Sequence, residues 1–105
     1  MSQPDELIEE CRQEIDTIDQ EIVTCLVRRI NITKDIAGYK KLLGTPILDE
    51  DREHQVIDMA RDFTEGLVSE EIAEKAKAIV DHVFRTILDD SCRYEYGCKY
   101  QLPTG

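Results

Sequence analysis

The sequence predicts an all-α fold of three helices, the first of them unusually long. Between Asp5 and Leu43 there is no proline and only one glycine, Gly38. Across that segment residues 8, 11, 15, 18, 22, 25, 29, 32, 36 and 39 alternate three- and four-residue steps, a sustained heptad stripe. Helix-stop and helix-start residues then divide the rest of the chain twice, at Gly44 to Asp49 and at Gly66 to Ser69. No window alternates with the period of two that a half-buried strand requires, and no internal repeat or low-complexity stretch interrupts the pattern.

The first helix sets the terms for the others. Nine of the ten stripe residues are Ile, Cys or Tyr, and the tenth is Arg29. Thirty-nine helical residues extend roughly 58 Å, whereas a compact globule of 105 residues has a radius of gyration of about 13 Å. Two shorter helices cannot cover such a stripe, and the economical remedy is a second copy of the chain, so a homodimer is expected. Gly44 suits a left-handed helix stop and Pro46 cannot continue a helix. Asp49 is placed to cap a second helix over residues 50–65, with an apolar stripe of Val56, Ala60 and Phe63 ending before Gly66. Ser69, followed by Glu70 and Glu71 at the positive end of the helix dipole, caps a third. Its apolar face runs through Ile72, Ala76, Val80, Val83 and Ile87, and it is expected to reach Tyr96 with Gly97 as its stop. The chain thus reads as one helical domain, residues 5–96, followed by a mobile tail, residues 97–105.

Composition excludes several classes of function. Acidic residues number 23 against 13 basic, the formal net charge is -10, and the pI is near 4.5. Nucleic acid and anionic membrane surfaces are poor partners for such a chain, because both need clustered Lys and Arg to displace counterions. No signal-peptide pattern and no run of eighteen apolar residues occurs, so a soluble, cytoplasmic protein is expected. The four cysteines, Cys11, Cys25, Cys92 and Cys98, show no C-x-x-C spacing and are read as reduced thiols. His54 and His82 have no companions at ligand spacing, so no metal site is expected.

The informative positions are those where polar groups interrupt apolar faces. Arg29 occupies the stripe itself, and Lys40, eleven residues on, returns to within roughly 20° of the same face. The third helix continues its apolar face from Val83 and Ile87 to Ser91 and Glu95, and the second begins its stripe one turn early with Arg52 and Glu53. Burying cations costs several kcal/mol unless an anion meets them. Two readings follow: an internal salt-bridge network with Asp49, Glu53 and Glu95 that fixes helix register, or a pocket for a small dianion. Arg12 also lies beside the stripe, yet on a straight helix it is roughly 25 Å from Arg29. One chain cannot bring both to one small ligand. Two first helices paired antiparallel about an axis near residue 23 would set Arg12 of one copy level with the span between Arg29 and Lys40 of the other, giving two shared pockets.

The strings CRQEIDTIDQEIVTCLVRR, IAGYKK, GTPILDEDRE and ILDDSCRYE resemble those of the all-helical chorismate mutases, over roughly residues 5 to 96. The resemblance implies an intertwined, all-helical homodimer that needs no cofactor and converts chorismate to prephenate by a Claisen rearrangement. Carried over position by position, it implies that Arg12 is lent by the partner chain, that Arg29 and Arg52 hold the substrate carboxylates, and that Lys40 binds the ether oxygen. Asp49 and Glu53 resemble the pair near the ring hydroxyl, and Ser91 a serine that contacts the ring carboxylate. Two departures stand out. The segment from Phe63 to Ile72 does not follow the family pattern. Where many members carry a glutamine that donates to the ether oxygen, this chain has Glu95, and an ionised glutamate has no proton to donate. Relatives acting on neighbouring metabolites, a 4-amino-4-deoxychorismate mutase or an isochorismate pyruvate-lyase, remain alternatives, as does a non-catalytic helical dimerisation or regulatory module. Lys40 ahead of the GTPILDEDRE turn resembles a mutase more than a lyase.

Overall fold

The computed structural model describes residues 3–46 and 48–95, with the backbone alone for residues 93–95. The described residues form three helices and no strand: α1 (Pro4–Leu43), α2 (Glu50–Glu65) and α3 (Glu70–Glu95). The expected stop at Tyr96 and Gly97 and the expected tail, residues 97–105, lie outside the described residues. The all-α expectation holds, with each boundary within a residue or two of its sequence signal. No helix is long and apolar enough to cross a membrane among the described residues.

Local chemistry accounts for the boundaries. Asp5 and Glu6 sit in the first turn of α1, and Lys40 and Lys41 in its last, so both ends complement the helix dipole. Gly44 adopts φ 71°, the left-handed conformation that a residue without Cβ tolerates. The Gly44 N–H donates to the Lys41 carbonyl at 3.2 Å and the Thr45 N–H to the Lys40 carbonyl at 3.0 Å. This paired closure satisfies carbonyls that a helix end otherwise leaves without partners. Asp49 caps α2 as expected: in extended conformation, it accepts the Arg52 N–H on its side chain at 3.0 Å. Three further carboxylates, Glu50, Asp51 and Glu53, fill the first turn behind it.

The chain divides into two compact units, Met1–Asp35 and Ile36–Gly105. In the first, α1 carries no buried residue: Ile15, Ile18 and Ile22 keep about half their surface, at 52%, 51% and 50%. In the second, α2 packs against α3, and the buried apolar residues among those described are Ile57 and Cys92. Thr64 is also buried, its hydroxyl donating to the Ala60 carbonyl at 2.7 Å. An ion-pair cluster crosses between these two helices: Arg61 of α2 donates to Asp81 of α3 at 2.8 Å, and Asp81 also accepts from Arg85.

The expected apolar faces of the shorter helices hold at Val56, Ala60, Ala76, Val80 and Ile87, which are partly covered, and need correction at Phe63, Ile72 and Val83. Phe63, assigned to the α2 stripe, is 71% exposed, and the side that meets α3 carries Ile57, Ala60 and Thr64. Ile72 and Val83 of α3 are likewise exposed, while Ala73, Phe84 and Leu88 are partly covered. Both helices are apolar over more than one stripe, and α2 and α3 can cover only one stripe of each other. The reduced-thiol expectation holds for Cys11 and Cys25, which are free and exposed, but fails for Cys92, which is disulfide-bonded. Helical placement bore on the first two cysteines alone, and the absence of C-x-x-C does not exclude a disulfide formed at another spacing. Cys98 lies outside the described residues.

Candidate active site

The turn between α1 and α2 places Lys40 and Asp49 on one cavity of about 530 Å³, together with Thr45, Pro46, Leu48, Glu50 and Asp51. That volume falls within the range of about 300–1,000 Å³ common for small-molecule sites. Lys40 is half-buried at the helix end, where the closure at Gly44 fixes its backbone. Asp49 faces it from the cap of α2, one carboxylate oxygen already accepting the Arg52 N–H. A residue in the last turn of one helix and the cap of the next thus reach the same space.

Arg52 projects from the first turn of α2, exposed, with Nη1 donating to Gln55 Oε1 at 2.6 Å. Glu53 is half-buried and lines a second, smaller cleft of about 230 Å³ between α2 and α3, with Glu50, His54, Ile57, Arg85, Leu88 and Asp89. Its carboxyl is held above the ordinary range, chiefly by burial and then by the negative charge of Asp89, with Glu50 and Asp49 adding to the effect and His54 opposing it. Asp81 moves the other way: its hydrogen bonds from Arg85 and Arg61 hold its carboxyl below the usual range. Ser91 is half-buried on α3 next to buried Cys92, and Glu95 is the last residue of that helix.

Within the other unit, Arg12 is exposed and lies 4.0 Å from Glu9 of its own helix. Arg29 is half-buried. Within the second unit, among the described residues, no salt bridge joins Arg52 to Asp49 or Glu53.

The sequence reading missed His54, Arg85 and Asp89 at the Glu53 cleft, and the Arg61–Asp81–Arg85 cluster. A signal existed: Asp81, Arg85 and Asp89 recur at four-residue steps on α3, the spacing that puts charges of alternating sign on one face.

The chain matches the family profile of chorismate mutase type II over residues 11–96. It is 35% identical over 79 residues to a chorismate mutase of Methanocaldococcus jannaschii, covering 73% of this chain and 80% of that protein. It is also 32% identical over 68 residues to a 3-dehydroquinate dehydratase of Pyrobaculum aerophilum, covering 65% of this chain but 22% of that protein. No solved structure matches it significantly. A profile spanning most of the chain, a relative aligned over most of both lengths, and an all-helical fold carrying Lys40 and Asp49 on one cavity agree: this chain belongs to the type II chorismate mutase family of isomerases.

Proposed function

We propose that residues 5–96 form a catalytic domain that rearranges chorismate to prephenate, in the cytoplasm, in pockets shared between two copies of the chain. The observation that carries this reading is the convergence of Lys40 and Asp49 on one cavity of about 530 Å³. The reaction breaks a C–O bond and forms a C–C bond within one molecule. It needs no nucleophile, no proton transfer and no cofactor, so the protein has two tasks. It must hold a flexible dianion folded with its reacting carbons in contact, and it must stabilise negative charge growing on the ether oxygen.

Each task falls to named side chains. Arg29 and Arg52, with Arg12 from the second copy, hold the two carboxylates, and Ser91 adds a hydrogen bond to one of them. Lys40 donates to the ether oxygen, where charge develops in the transition state. Glu95, when protonated, donates there as well. Asp49 and Glu53 meet the ring hydroxyl.

The shared pocket rests on α1. Its stripe of Ile8, Ile15, Ile18, Ile22, Ile32, Ile36 and Tyr39 stays about half exposed in the single chain, between 45% and 64%. Burying the remaining half of such a side chain contributes about 1 kcal/mol, and an antiparallel second α1 offers the same stripe in return. Exposed Phe63, Met59 and Ile79 on α2 and α3 supply further apolar surface for a second copy.

The direct test follows the ultraviolet absorbance of chorismate after the protein is added, with prephenate identified as product. Enzymatic loss of chorismate with formation of prephenate is the expected result. A folded protein inert towards chorismate overturns the assignment, and turnover of isochorismate with release of pyruvate would replace it with the lyase activity.

A further inference from the structure

Four residue pairs run as one antiparallel row along the contact of α2 with α3. Four-residue steps, forward on α2 and backward on α3, match Glu53 with Asp89, Ile57 with Arg85, Arg61 with Asp81 and Glu65 with Lys77. The structure brings these partners together: the first two pairs line the cleft of about 230 Å³, Arg61 Nη1 donates to Asp81 at 2.8 Å, and Lys77 Nζ donates to Glu65 at 3.4 Å. Opposite charges thus meet at the end of the row nearer the connecting turn. At the other end two carboxylates, Glu53 and Asp89, share the cleft. The apolar residues do not choose this register, because Ile57 and Cys92 are the buried ones among those described and a slip of one helical turn, about 5.4 Å, keeps the same faces in contact. The charges do choose it. A one-turn slip sets Arg61 opposite Lys77 in one direction and Arg85 in the other, so each alternative replaces an ion pair with two like charges. The first of these slips also brings Glu53 opposite Arg85.

The inference drawn from this row rests on the reading that Glu53 meets the ring hydroxyl of the substrate. We infer that Arg61 is a positioning residue for Glu53: by pairing with Asp81 it fixes the register of α2 on α3 that holds Glu53 in the cleft opposite Asp89, and away from an ion pair with Arg85 that would turn its carboxyl from the substrate. Arg61 lies eight residues from Glu53 on the same helix, roughly 12 Å along its axis, and does not touch the substrate. Its effect travels through two turns of rigid helix. Asp81 also accepts from Arg85, which occupies the one guanidinium on the lining of the cleft.

The experiment compares Arg61→Gln, Arg61→Lys, Glu53→Gln and the double variant of Arg61→Gln with Glu53→Gln against the wild type, each checked for helicity and association state. In Arg61→Gln, kcat/KM for chorismate should fall about tenfold, inside the roughly 10²-fold that an ångström of misplacement costs. Arg61→Lys keeps the charge and should stay within about twofold of the wild type. In the Glu53→Gln background the loss on Arg61→Gln should shrink to less than about twofold, because the two changes act on one contact; a loss of stability alone would act equally in both backgrounds. A second readout needs no substrate. The Glu53 carboxyl is held above its ordinary range by burial and by Asp89, with Glu50 and Asp49 adding and His54 opposing, so its titration followed by carbon NMR should move down in Arg61→Gln as Glu53 leaves Asp89. Removing a cation without any movement would push it up instead. Unchanged kcat/KM in folded Arg61→Gln, an equal loss in the two backgrounds, or a Glu53 titration that stays or rises overturns the proposal, while chorismate turnover by the wild type leaves the mutase reading intact. If Arg61→Gln does not fold, Arg61→Lys decides, since a loss of about tenfold in that folded variant means that the charge pair does not place Glu53. A folded wild type inert towards chorismate would remove the mutase reading, and the titration alone would then decide whether Arg61 sets the position of Glu53.

Discussion

Arg12→Ala and Arg29→Ala, each inactive alone, should regain activity when mixed and allowed to exchange chains. Both arginines lie on α1, seventeen residues apart, which at 1.5 Å per residue separates them by roughly 25 Å along the helix. A chorismate-sized ligand cannot span that distance, so a pocket that uses both must take them from different copies. In a mixed dimer one pocket carries both lesions, while the other keeps a wild-type Arg12 and a wild-type Arg29. Random exchange of equal amounts makes half the dimers mixed, so roughly a quarter of all sites should work in a two-fold dimer. The assay is initial-rate chorismate consumption before and after exchange under mild denaturant and refolding, with mixed dimers quantified through a mass tag on one variant. Recovery near a quarter of wild-type activity supports the shared pocket. Mixed dimers that stay inactive while both variants remain folded would refute it, and so would substantial activity in either variant alone.

Lys40→Ala should lower turnover by on the order of 10²–10³ while raising KM far less, because the charge it meets develops mainly in the transition state; unchanged kcat with weaker binding would contradict that role. Glu53, whose carboxyl is held above its ordinary range by burial and Asp89, favours folding while protonated. That contribution is complete below the unfolded range near pH 4.3 and is lost as pH rises through the raised value. Glu53→Gln should therefore raise stability at pH 7 by about 0.2–1 kcal/mol and leave it nearly unchanged at pH 3.5, and thermal melts showing a loss at pH 7 would reverse the assignment. Turnover of the wild type should be highest at mildly acidic pH and fall as Glu95 loses its proton. Glu95→Gln should flatten that fall and Glu95→Ala be poor throughout; a wild-type profile that is flat or rises with pH would mean that Glu95 does not donate to the ether oxygen.

What could be read in the sequence was whatever the backbone decides locally. Gly44 stops α1 in the left-handed conformation, and Asp49 caps α2 by accepting the Arg52 N–H. Both are short-range steric and hydrogen-bond events within five residues. Periodicity also identified α1 as amphipathic, and it carries no buried residue. Periodicity could not decide which stripe of a multiply apolar helix meets its neighbour in the same chain. Phe63 and Val83 were therefore assigned to the inner faces although Ile57 and Leu88 lie closer to them. The turn was expected to bring Lys40 to one cavity with Arg52 and Glu53, whereas Lys40 shares its cavity with Asp49 and Glu53 lines the cleft between α2 and α3. The approach of Asp89 to Glu53 spans thirty-six residues and depends on how α2 and α3 are rotated, which no local signal encodes.

The proposed dimer would couple association to chemistry through the same surface. Among the described residues a single chain buries only Ile57, Cys92 and Thr64, too small a core to offset backbone ordering at about 1–2 kcal/mol per residue. In the proposed dimer a second copy would supply the missing apolar contacts along α1, and folding and dimerisation would become one equilibrium. The cations of the proposed pocket lie on or beside that stripe: Arg29 within it, and Lys40 at nearly the same helical angle, both half-buried while Ile32, Ile36 and Tyr39 around them stay exposed. The Arg29 charge at such a seam opposes association unless an anion meets it, and a dianionic ligand provides one. Substrate should therefore tighten the dimer, and dilution that separates the chains should remove the helical structure and the activity together.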